Sequence, residues 1–485
     1  MRTTLPLTVD RAAGLALHLQ LAEQVRAAVR DGRLQAGHRL PSTRDLAREL
    51  GVSRAVAQAA YDQLHAEGWI VGRTGSGTYI ADVVPLTPPV RQRRSRTADS
   101  SSNSPTAAAS TSSSWPGRTS KGLLTLRPGI PFIGTQADAG WRRAWREVSA
   151  QTPPQGYDDP AGLPELRSAL AEHVGRVRGI ACGPENLVIT NGTVHGFRLL
   201  LSTTLRPGDR LAVEDPGYPN AVKAAEAHHL KVVDVPVDAD GLCVDTLGGL
   251  EEPDGIAAVY VTPSHQYPLG GRLPVARRNE LVRWARRTGA TLIEDDYDSE
   301  FRYDVAPLPA LAQLDLDRVV HLGTLSKMIS PSLRLGWLVA SAPVVDRIAC
   351  HREEASDWPG WPMQAALLAM LRDGYLDQVV RRNRRLYAER RNHTCAQLAP
   401  YGRVVGQDAG LHITLLLPDH VDDKALAAKA RAAGVAIAPL ADYRRTVTGS
   451  PGLVIGYATP TDEDLHKALR ILVDLLERES KSTMA

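Results

Sequence analysis

The stretch Thr324-Leu325-Ser326-Lys327-Met328-Ile329-Ser330-Pro331-Ser332-Leu333-Arg334-Leu335-Gly336 decides how the rest of the chain is interpreted. It follows an apolar run, Val319 to Leu322, that predicts a buried strand, and Gly323 is expected to end that strand. Lys327 then stands on a turn between hydroxyl side chains. A lysine that forms a Schiff base must be positioned and partly desolvated beside groups that hold an anion. Thr324, Ser326 and Arg334 are the hydroxyls and cation that a phosphate needs. For this stretch alone, a surface lysine in a strand-to-helix loop is the alternative.

The composition is that of a globular protein of two or three domains. The chain has 485 residues, 43% hydrophobic and 23% charged. No apolar run approaches the roughly 20 residues that a membrane span needs, and residues 1–10 lack the apolar core of a signal peptide. The four cysteines are scattered without a CxxC pair, which argues against a zinc site or a disulfide framework and fits a reducing cytoplasm.

The net charge of +3 is unevenly distributed. Residues 1–80 carry ten Arg against seven Asp and Glu, a balance of +3. Residues 81–120 carry five Arg against two Asp, again +3, so residues 121–485 carry −3. A basic front end on a mildly acidic body indicates a polyanionic partner for the front end alone.

The front end predicts a winged helix-turn-helix. Leu15 to Arg30 has apolar residues at helical spacing. A short helix over Thr43–Leu50, capped by Ser42, is followed by a second helix from Ser53 to about Glu67. Two strands, Trp69–Val71 and Thr78–Ile80, should then form a hairpin with Gly72–Gly77 between them as the wing.

The second of these helices is the predicted DNA reader. Its N-terminal residues should meet base edges in the major groove, with Ser53, Arg54 and Gln58 on that face. Arg44 and the glycine-rich wing, including Arg73, Gly75 and Gly77, are placed to meet phosphates. A small helical adaptor domain with solvated arginines is the alternative, but the pattern is long and ordered.

Residues 82–120 have the composition of a linker. Arg91 to Arg96 is a short basic run, and Ser100 to Ser114 is almost wholly Ser, Thr, Ala, Asn and Pro. Such a segment cannot bury enough apolar area to order itself, so a flexible tether is expected. Its arginines fit a merely solvated linker better than a DNA contact.

Residues 121–485 alternate short apolar runs with helical patterns, which predicts a mostly parallel sheet flanked by helices. The strand candidates are Leu187–Thr190, Arg210–Val213, Ala257–Val261, Thr291–Ile293 and Val319–Leu322. Ligands bind beyond the carboxyl ends of such strands, so the residues that follow each strand matter most.

Each of these strand ends carries groups suited to a flat, phosphorylated ligand. Asn191, Gly192 and Thr193 can present backbone N–H groups to a phosphate. Tyr218 can stack on a ring, and a carboxylate such as Asp295 can keep a ring nitrogen protonated. Individually, turn glycines, a core tyrosine and an N-capping aspartate are the simpler interpretations. Five loops at one sheet edge, ending in Lys327, make a coincidence improbable.

The front end resembles the winged helix-turn-helix domain of the GntR family. The resemblance lies in Arg39-Leu40-Pro41-Ser42-Thr43-Arg44-Asp45-Leu46-Ala47, in Val52-Ser53-Arg54, in Glu67-Gly68 and in Gly75-Ser76-Gly77-Thr78. It implies that Arg44, Arg54 and the wing glycines touch double-stranded DNA. Ala55 stands where the family usually has a threonine, so one hydroxyl contact is absent.

The remainder resembles fold-type I aminotransferase-like enzymes that bind pyridoxal 5′-phosphate (PLP), with a smaller C-terminal α+β subdomain. Joined to the front end, the chain is similar to the MocR subfamily of GntR-type regulators. The resulting domain prediction is 1–81 DNA-binding, 82–120 linker and 121–485 PLP-binding. Family members are head-to-tail homodimers in which each DNA-binding domain lies over the other chain's PLP domain.

This resemblance assigns roles residue by residue. Lys327 is the Schiff-base lysine, Asp295 pairs with the pyridine nitrogen and Tyr297 bonds the ring hydroxyl. Tyr218 stacks on the ring, and Tyr157 reaches the phosphate in the partner subunit. The remaining cofactor-binding residues, for the phosphate and its surroundings, are Asn191, Gly192, Thr193, Thr324, Ser326 and Arg334.

Two departures from aminotransferases shape the functional expectation. The third loop, residues 262–270, follows the third strand candidate, and in it Tyr267 replaces an asparagine, as is common in MocR-like chains. Val454 stands where aminotransferases have the arginine that binds the substrate α-carboxylate, and valine cannot make that bidentate contact. We therefore expect a regulator that senses PLP or an amine effector and controls vitamin B6 genes, as in the PdxR branch, rather than an enzyme. A working aminotransferase, a regulator of another amino compound and a regulator without PLP remain the alternatives.

Overall fold

The computed structural model describes residues 7–11, 16–73, 77–81, 122–134, 138–248, 255–303, 308–446 and 449–484. Within these ranges, none of the helices is both long and apolar enough to cross a membrane. The N-terminal elements are α1 (Leu17–Arg30), α2 (Thr43–Leu50), α3 (Arg54–Glu67), β1 (Ile70–Arg73) and β2 (Gly77–Ile80).

Both helices of the helix-turn-helix begin and end at the predicted signals. The Ser42 side chain accepts a hydrogen bond from the Asp45 amide (3.2 Å), and Ser53 accepts one from Val56 (3.3 Å). Such N-caps satisfy amide groups that have no partner within the helix. Gly51 and Gly68 end the two helices in the left-handed region. These predictions are confirmed.

The wing differs slightly from the prediction. Gly72 pairs with Thr78 and Arg73 with Gly77, so the two strands extend into the segment predicted as a loop. The ladder continues because each additional pair satisfies backbone groups that would otherwise need water. Residues 74–76, including Gly75, lie outside the described residues, as does the side chain of Arg73.

The large domain is built on an eight-stranded sheet in the order β4-β11-β10-β9-β8-β5-β6-β7. Six of these strands are parallel, whereas β11 and β7 are antiparallel to their neighbours. The mostly parallel sheet is therefore confirmed. Its strands and helices, with the short strand β3, are β3 (Leu124–Thr125), α4 (Ala139–Ala150), α5 (Pro164–Arg178), β4 (Leu187–Thr190), α6 (Thr193–Thr204), β5 (Arg210–Asp215), α7 (Pro219–Ala227), β6 (Lys231–Asp238), β7 (Gly241–Leu242), α8 (Asp245–Gly248), β8 (Ile256–Val261), α9 (Val275–Thr288), β9 (Thr291–Asp296), β10 (Val319–Thr324), β11 (Gly336–Val339), α10 (Ala342–Ala355) and α11 (Trp361–Arg372).

Both faces of this sheet are buried. Leu292 and Val319 belong to one apolar core, with residues of α5, α9 and α11. Ile293 and Val320, one position further along the same strands, belong to a second core with residues of α6, α7 and α10. Since successive strand residues point to opposite faces, helices must cover both sides, which explains the continuous apolar runs in the sequence.

Gly323 does not end its strand, contrary to the prediction. It lies within β10 and pairs with Asp296 of β9 and Trp337 of β11. A Cβ at this position would lie 2.3 Å from the Trp337 indole. The glycine therefore makes room for that ring rather than breaking the ladder, and Thr324 becomes the last strand residue. β5 and β9 are likewise longer than predicted, so Asp295 lies in a strand and not in the loop after it.

The small domain carries a four-stranded sheet in the order β12-β13-β16-β15. The short strand β14 pairs instead with β3, which ties the start of the large body to the C-terminal part of the chain. The elements are α12 (Tyr375–Leu398), β12 (Arg403–Val405), β13 (His412–Leu416), α13 (Asp423–Ala432), β14 (Val435–Ala436), β15 (Ala438–Pro439), β16 (Gly452–Gly456) and α14 (Asp462–Met484).

The predicted linker, 82–120, lies outside the described residues. The boundaries 1–81, 82–120 and 121–485 therefore stay a prediction.

Candidate functional site

Lys327 lies on the turn after β10, next to the segment that contains Gly129. Its Nζ donates a hydrogen bond to the carbonyl oxygen of Gly129 (2.5 Å). A Cβ on Gly129 would lie 2.9 Å from that nitrogen, so a larger residue at this position would displace the amine. Burial lowers the pKa of Lys327, while the carboxylates of Asp295 and Asp298 act against this shift. A desolvated lysine amine is more readily neutral and hence nucleophilic.

Asp295, the next-to-last residue of β9, has one carboxylate oxygen bonded and one without a partner among the described residues. The hydroxyl of Tyr260 donates to Oδ2, whereas Oδ1 is buried and unpaired among the described residues. Burial raises the pKa of Asp295 to about 6. An orphaned buried carboxylate oxygen is costly unless a ligand donor or cation meets it. A protonated pyridine nitrogen supplies both.

Asp295 differs from the acidic residues on either side of it. Glu294 accepts hydrogen bonds from the amides of Leu311 (2.7 Å) and Ala312 (3.1 Å), and a hydrogen bond with His321 contributes to lowering its pKa, against burial, to about 2. Asp296 is paired with Arg178. Because side chains alternate along a strand, these two neighbours face away from Asp295. Only the middle carboxylate remains for a ligand.

The phosphate-binding residues predicted from three separate loops come together. Gly192 caps α6 with φ 94°, and a Cβ there would lie 3.5 Å from the Arg334 guanidinium. Thr193 is the first residue of α6, so the amides of the first turn are available to an anion. The Thr324 hydroxyl donates to the Ser326 hydroxyl (3.0 Å) and accepts from the Ser326 amide (3.1 Å).

His195 extends this phosphate region in a way that the sequence did not signal. Its Nδ1 accepts from the Asn191 amide (2.9 Å), and its Nε2 meets the Asp357 carboxylate at 2.9 Å. Asn191 thus acts through its backbone. The next residue, Trp358, stacks on Tyr157, with ring centroids 5.0 Å apart.

Tyr157 lies outside the predicted phosphate-binding site of its own chain. Its side chain is 88% exposed apart from the Trp358 contact. The exposure suits a residue that reaches another subunit, but the predicted contact to a partner's phosphate remains a prediction.

Three tyrosines, Tyr218, Tyr267 and Tyr297, form one aromatic cluster. Tyr267 meets Tyr218 edge to face at 5.8 Å between ring centroids and Tyr297 at 5.6 Å. The Tyr297 hydroxyl donates to the carbonyl oxygen of His265 (3.0 Å). Tyr218 accepts a hydrogen bond from the Asn220 side chain (3.0 Å). Flat, rigid aromatic walls of this kind suit a planar ring.

A buried group of ionisable residues was missed in the sequence. His265 Nδ1 lies 2.9 Å from the Asp298 carboxylate, and the His412 ring lies 5.4 Å from that of His265. Burial, together with the neighbouring His265, lowers the pKa of His412 to about 3. His265 stands in the third loop, two residues before Tyr267, and could have been noted from the sequence. His412 comes from the small domain, and no local sequence feature indicated its place in this group. Tyr260 was also missed, because only the strand register of the structure pairs it with Ile293, two residues before Asp295.

Val454 occupies the expected position of the carboxylate-binding arginine. It pairs with Thr414 across the small sheet, and the Thr414 hydroxyl donates to the carbonyl oxygen of Pro268 in the third loop (2.7 Å). Directly paired residues share one face of a sheet, so Val454 faces the site. Its side chain is fully buried and offers no donor.

The predicted DNA-contact residues lie on the surface. Arg44, Ser53, Arg54 and Gln58 are exposed, and Gln58 donates to Asp62 (2.8 Å). Gly77 has φ 115°, and a Cβ there would lie 3.1 Å from the Arg39 guanidinium. Arg39 therefore sits under the wing, a further cation that the prediction omitted.

The residues present fit PLP. The unpaired Asp295 oxygen suits the ring nitrogen, and the desolvated Lys327 amine suits the aldehyde. The amides at the start of α6, with Arg334 beside Gly192, suit the phosphate. In the described part of the chain, no cluster of His, Cys, Asp and Glu is arranged to hold a metal ion.

Two family models match the chain. Residues 17–80 match bacterial regulatory proteins of the gntR family, and residues 134–472 match aminotransferase class I and II. Among solved structures, an archaeal alanine:glyoxylate aminotransferase is similar at 26% identity with a TM-score of 0.69, covering 73% of this chain and 91% of that one. The fold-type I aminotransferase fold is thereby confirmed.

Full-length relatives are named as regulators. The HTH-type pyridoxine biosynthesis transcriptional regulator PdxR of Corynebacterium glutamicum is 36% identical, with 98% of this chain and 99% of that protein covered. The probable rhizopine catabolism regulatory protein MocR of Rhizobium meliloti is 33% identical, covering 93% and 92%. The similarity thus spans both domains in the same order.

Proposed function

This chain belongs to the MocR-type regulators of the GntR family, in the branch of PdxR, and from that membership we propose that it controls vitamin B6 biosynthesis genes in response to PLP. The observation that carries the proposal is the combination of an unpaired, buried Asp295 oxygen with Val454 in place of a carboxylate-binding arginine. The first suits the cofactor ring, whereas the second removes the contact by which aminotransferases hold an amino acid.

Each part of the site has a distinct task in this proposal. PLP supplies an aldehyde and an electron-accepting ring when it is bound. Lys327 would hold the aldehyde end of the cofactor, and Asp295, stabilised by the Tyr260 hydroxyl, would keep the ring nitrogen protonated. Tyr297 would bond the ring hydroxyl, and Tyr218 would stack on the ring. Gly192, Thr193, Thr324 and Arg334 would hold the phosphate, together with Tyr157 of a second subunit in a head-to-tail homodimer.

Signalling requires that PLP differ in affinity between two arrangements of the protein. A ligand shifts an equilibrium only by that difference, and DNA must change PLP affinity by the same factor. The α3 helix, with Ser53 and Arg54 at its start, would read the operator, while Arg44 and the wing hold phosphates.

The test is a titration of PLP into cofactor-free protein, with operator affinity measured by fluorescence anisotropy. The operator duplex is obtained by binding-site selection with the full-length protein. A PLP-dependent change of at least about fivefold, the lower end of usual coupling energies, supports the proposal. Unchanged affinity across saturating PLP rejects the sensor role.

A working aminotransferase is the second candidate, favoured by the intact set of Lys327, Asp295 and Arg334. It predicts rapid conversion of the yellow, PLP-loaded protein to its amine form with some amino acid, on the order of 1 s⁻¹ or faster. Stopped-flow absorbance against the amino acids decides between the two. Slow or absent conversion supports the regulator, and fast turnover supports the enzyme.

A further inference from the structure

The DNA-binding domain packs directly on the first turn of α9. Gly68, which ends α3, lies against this turn so closely that a Cβ on it would be 3.4 Å from the Cβ of Pro274 and 3.4 Å from the amide nitrogen of Val275. Val275 is 3% exposed and belongs to the apolar core of the DNA-binding domain, together with Leu64 and Trp69. Val275 of the large domain thus completes the apolar core of the DNA-binding domain.

Arg278 lies one turn further along α9, on the same face as Val275. Its guanidinium donates to three carbonyl oxygens: Leu273 (2.8 Å), Pro309 (2.9 Å) and Pro263 (2.8 Å). It is 7% exposed, and all three acceptors are neutral. Burial lowers the pKa of Arg278 to about 10, and the charge of Glu294 and, to a smaller extent, that of Glu67 at the end of α3 act against that shift.

Glu67 brings the matching negative charge from the DNA-binding domain. It is 6% exposed and accepts hydrogen bonds from Arg26 (2.7 Å) and Gln63 (2.5 Å) of the same domain. Its electrostatic interaction with Arg278 therefore crosses a buried boundary, where charges are weakly screened. Apolar contact and charge complementarity act on the same small area.

The loop held by Arg278 is the third loop of the cofactor site. Pro263 follows β8, and its carbonyl oxygen also accepts the amide of Leu273 (3.0 Å) just before α9. Between them, Gln266 donates to the Pro216 carbonyl (2.9 Å), and Tyr267 borders Tyr218 and Tyr297 in the ring site. Tyr267, in the middle of this loop, therefore lies beside Tyr218 and Tyr297, whereas Pro263, near the start of the loop, is bonded to Arg278.

We propose that Pro274, Val275 and Arg278 form the docking surface of the DNA-binding domain, and that Arg278 couples the docking of this domain to the third loop beside the cofactor. The coupling half rests on the proposed PLP response. A change at Tyr267 moves the base of the loop, which alters the carbonyl group that Arg278 holds and hence the fit of α3 on α9. Coupling of this kind needs a contact with two arrangements that both sites bias.

The docking half is tested by a cysteine pair, Gly68→Cys with Pro274→Cys, in the full-length protein. The 3.4 Å separation of the two Cβ positions is close to that of a disulfide, although a side chain at φ 82° strains the backbone. We expect efficient oxidative cross-linking of the pair and none of either single variant. Gly72→Cys with Pro274→Cys is the matched control, because a Cβ at Gly72 has no neighbour within 4 Å.

The mobility of the cross-linked protein on a non-reducing gel tells whether the domain docks on its own chain or on a second copy, and either product supports the docking surface. If the pair cross-links no better than the control, the docking surface is wrong. A second variant, Val275→Asp, should make the thiol of Gly68→Cys more accessible to a thiol-modifying reagent. The exposed neighbour Ala276→Asp should leave that thiol protected.

The coupling half is tested by Arg278→Lys, which keeps the charge but loses the three-way carbonyl contact. We expect the PLP-induced change in operator affinity to fall at least threefold, while borohydride trapping of pyridoxyl on Lys327 is retained. The exposed Arg283→Lys on the same helix is the control. If the wild type shows no PLP response, the proposed function fails. If the wild type responds and Arg278→Lys responds equally, only the coupling fails.

Discussion

The DNA-binding surface and the cofactor site of this protein are built in opposite ways. The predicted DNA contacts come from a single segment, Arg39 to Gly77, and the described side chains among them, Arg44, Ser53, Arg54 and Gln58, are exposed. The cofactor site draws on residues from Gly129 to Val454, and its ionisable groups are buried and shift one another's pKa values.

This difference predicts how each region responds to substitution. Exposed charges act in high dielectric and are screened by salt, so their effects should be modest, nearly additive and salt-dependent. Buried polar groups depend on one another, so losing one leaves its partners unsatisfied. Five substitutions test this contrast, in decreasing order of expected effect.

Lys327→Ala should abolish the response to PLP altogether. Without the amine no covalent link to PLP can form, so the visible absorption band and the borohydride-trapped pyridoxyl group should both disappear. Operator affinity without PLP should stay within twofold of the wild type, because α3 and the wing are untouched. Absorbance, mass spectrometry and anisotropy measure these quantities. A variant that still responds to PLP would show that the signal does not pass through this lysine.

Asp295→Asn should weaken PLP binding by roughly 10- to 150-fold, equivalent to about 1.5–3 kcal/mol for a hydrogen bond to a charged group. The amide cannot hold the proton on the ring nitrogen, and it disturbs the hydrogen bond from Tyr260. Fluorescence titration gives the dissociation constant. Operator affinity of the cofactor-free variant serves as the control for folding. An unaltered PLP dissociation constant contradicts the assigned pairing.

Arg54→Ala should weaken operator binding by about 1–3 kcal/mol if the arginine reads a base, with relaxed preference at one position. Arg44→Ala should act more uniformly and reduce the slope of log affinity against log salt by about one unit, as expected for one phosphate contact. Both variants should load PLP normally. Normal operator affinity in both would place the DNA contacts elsewhere.

His412→Gln should flatten the dependence of the free energy of unfolding on pH. The pKa of His412 is lowered to about 3, whereas an unfolded histidine titrates near about 6.5. The unfolded chain therefore takes up a proton first, and stability falls as the pH drops below that value. Removing this residue should reduce the slope by up to about 1.4 kcal/mol per pH unit. Urea unfolding at pH 7.0 and 5.5 measures it, with exposed His420→Gln as the baseline; equal slopes contradict the assignment.

The same contrast explains how well each region could be predicted. In the DNA-binding domain, caps at Ser42 and Ser53 and glycines at the helix ends are local signals, and they located the helices within two residues. In the cofactor domain, the lysine, the aspartate and the phosphate loops could be predicted as site residues because each stands at or near the carboxyl end of a strand. His412, Asp298 and Tyr260 were missed because their importance depends on neighbours far away in the chain.

Gly323 shows the limit of local reasoning most directly. A glycine after an apolar run usually ends a strand, but here it continues the strand because Trp337 of the next strand needs the space. Likewise, the contact of Gly68 with Val275 joins two domains more than 200 residues apart, and no periodicity in either segment indicates it.

The sequence by itself determined the two-part architecture, the helix-turn-helix, the order of the strand-end loops and the absence of an arginine at position 454, because these depend on side-chain type and spacing along one segment. Only the tertiary structure decided which carboxylate faces the cofactor ring with a free oxygen, which histidines are buried beside it and where the DNA-binding domain rests. Those features arise from burial and from distances between separate segments, and burial sets the energetic weight of every charge in the site.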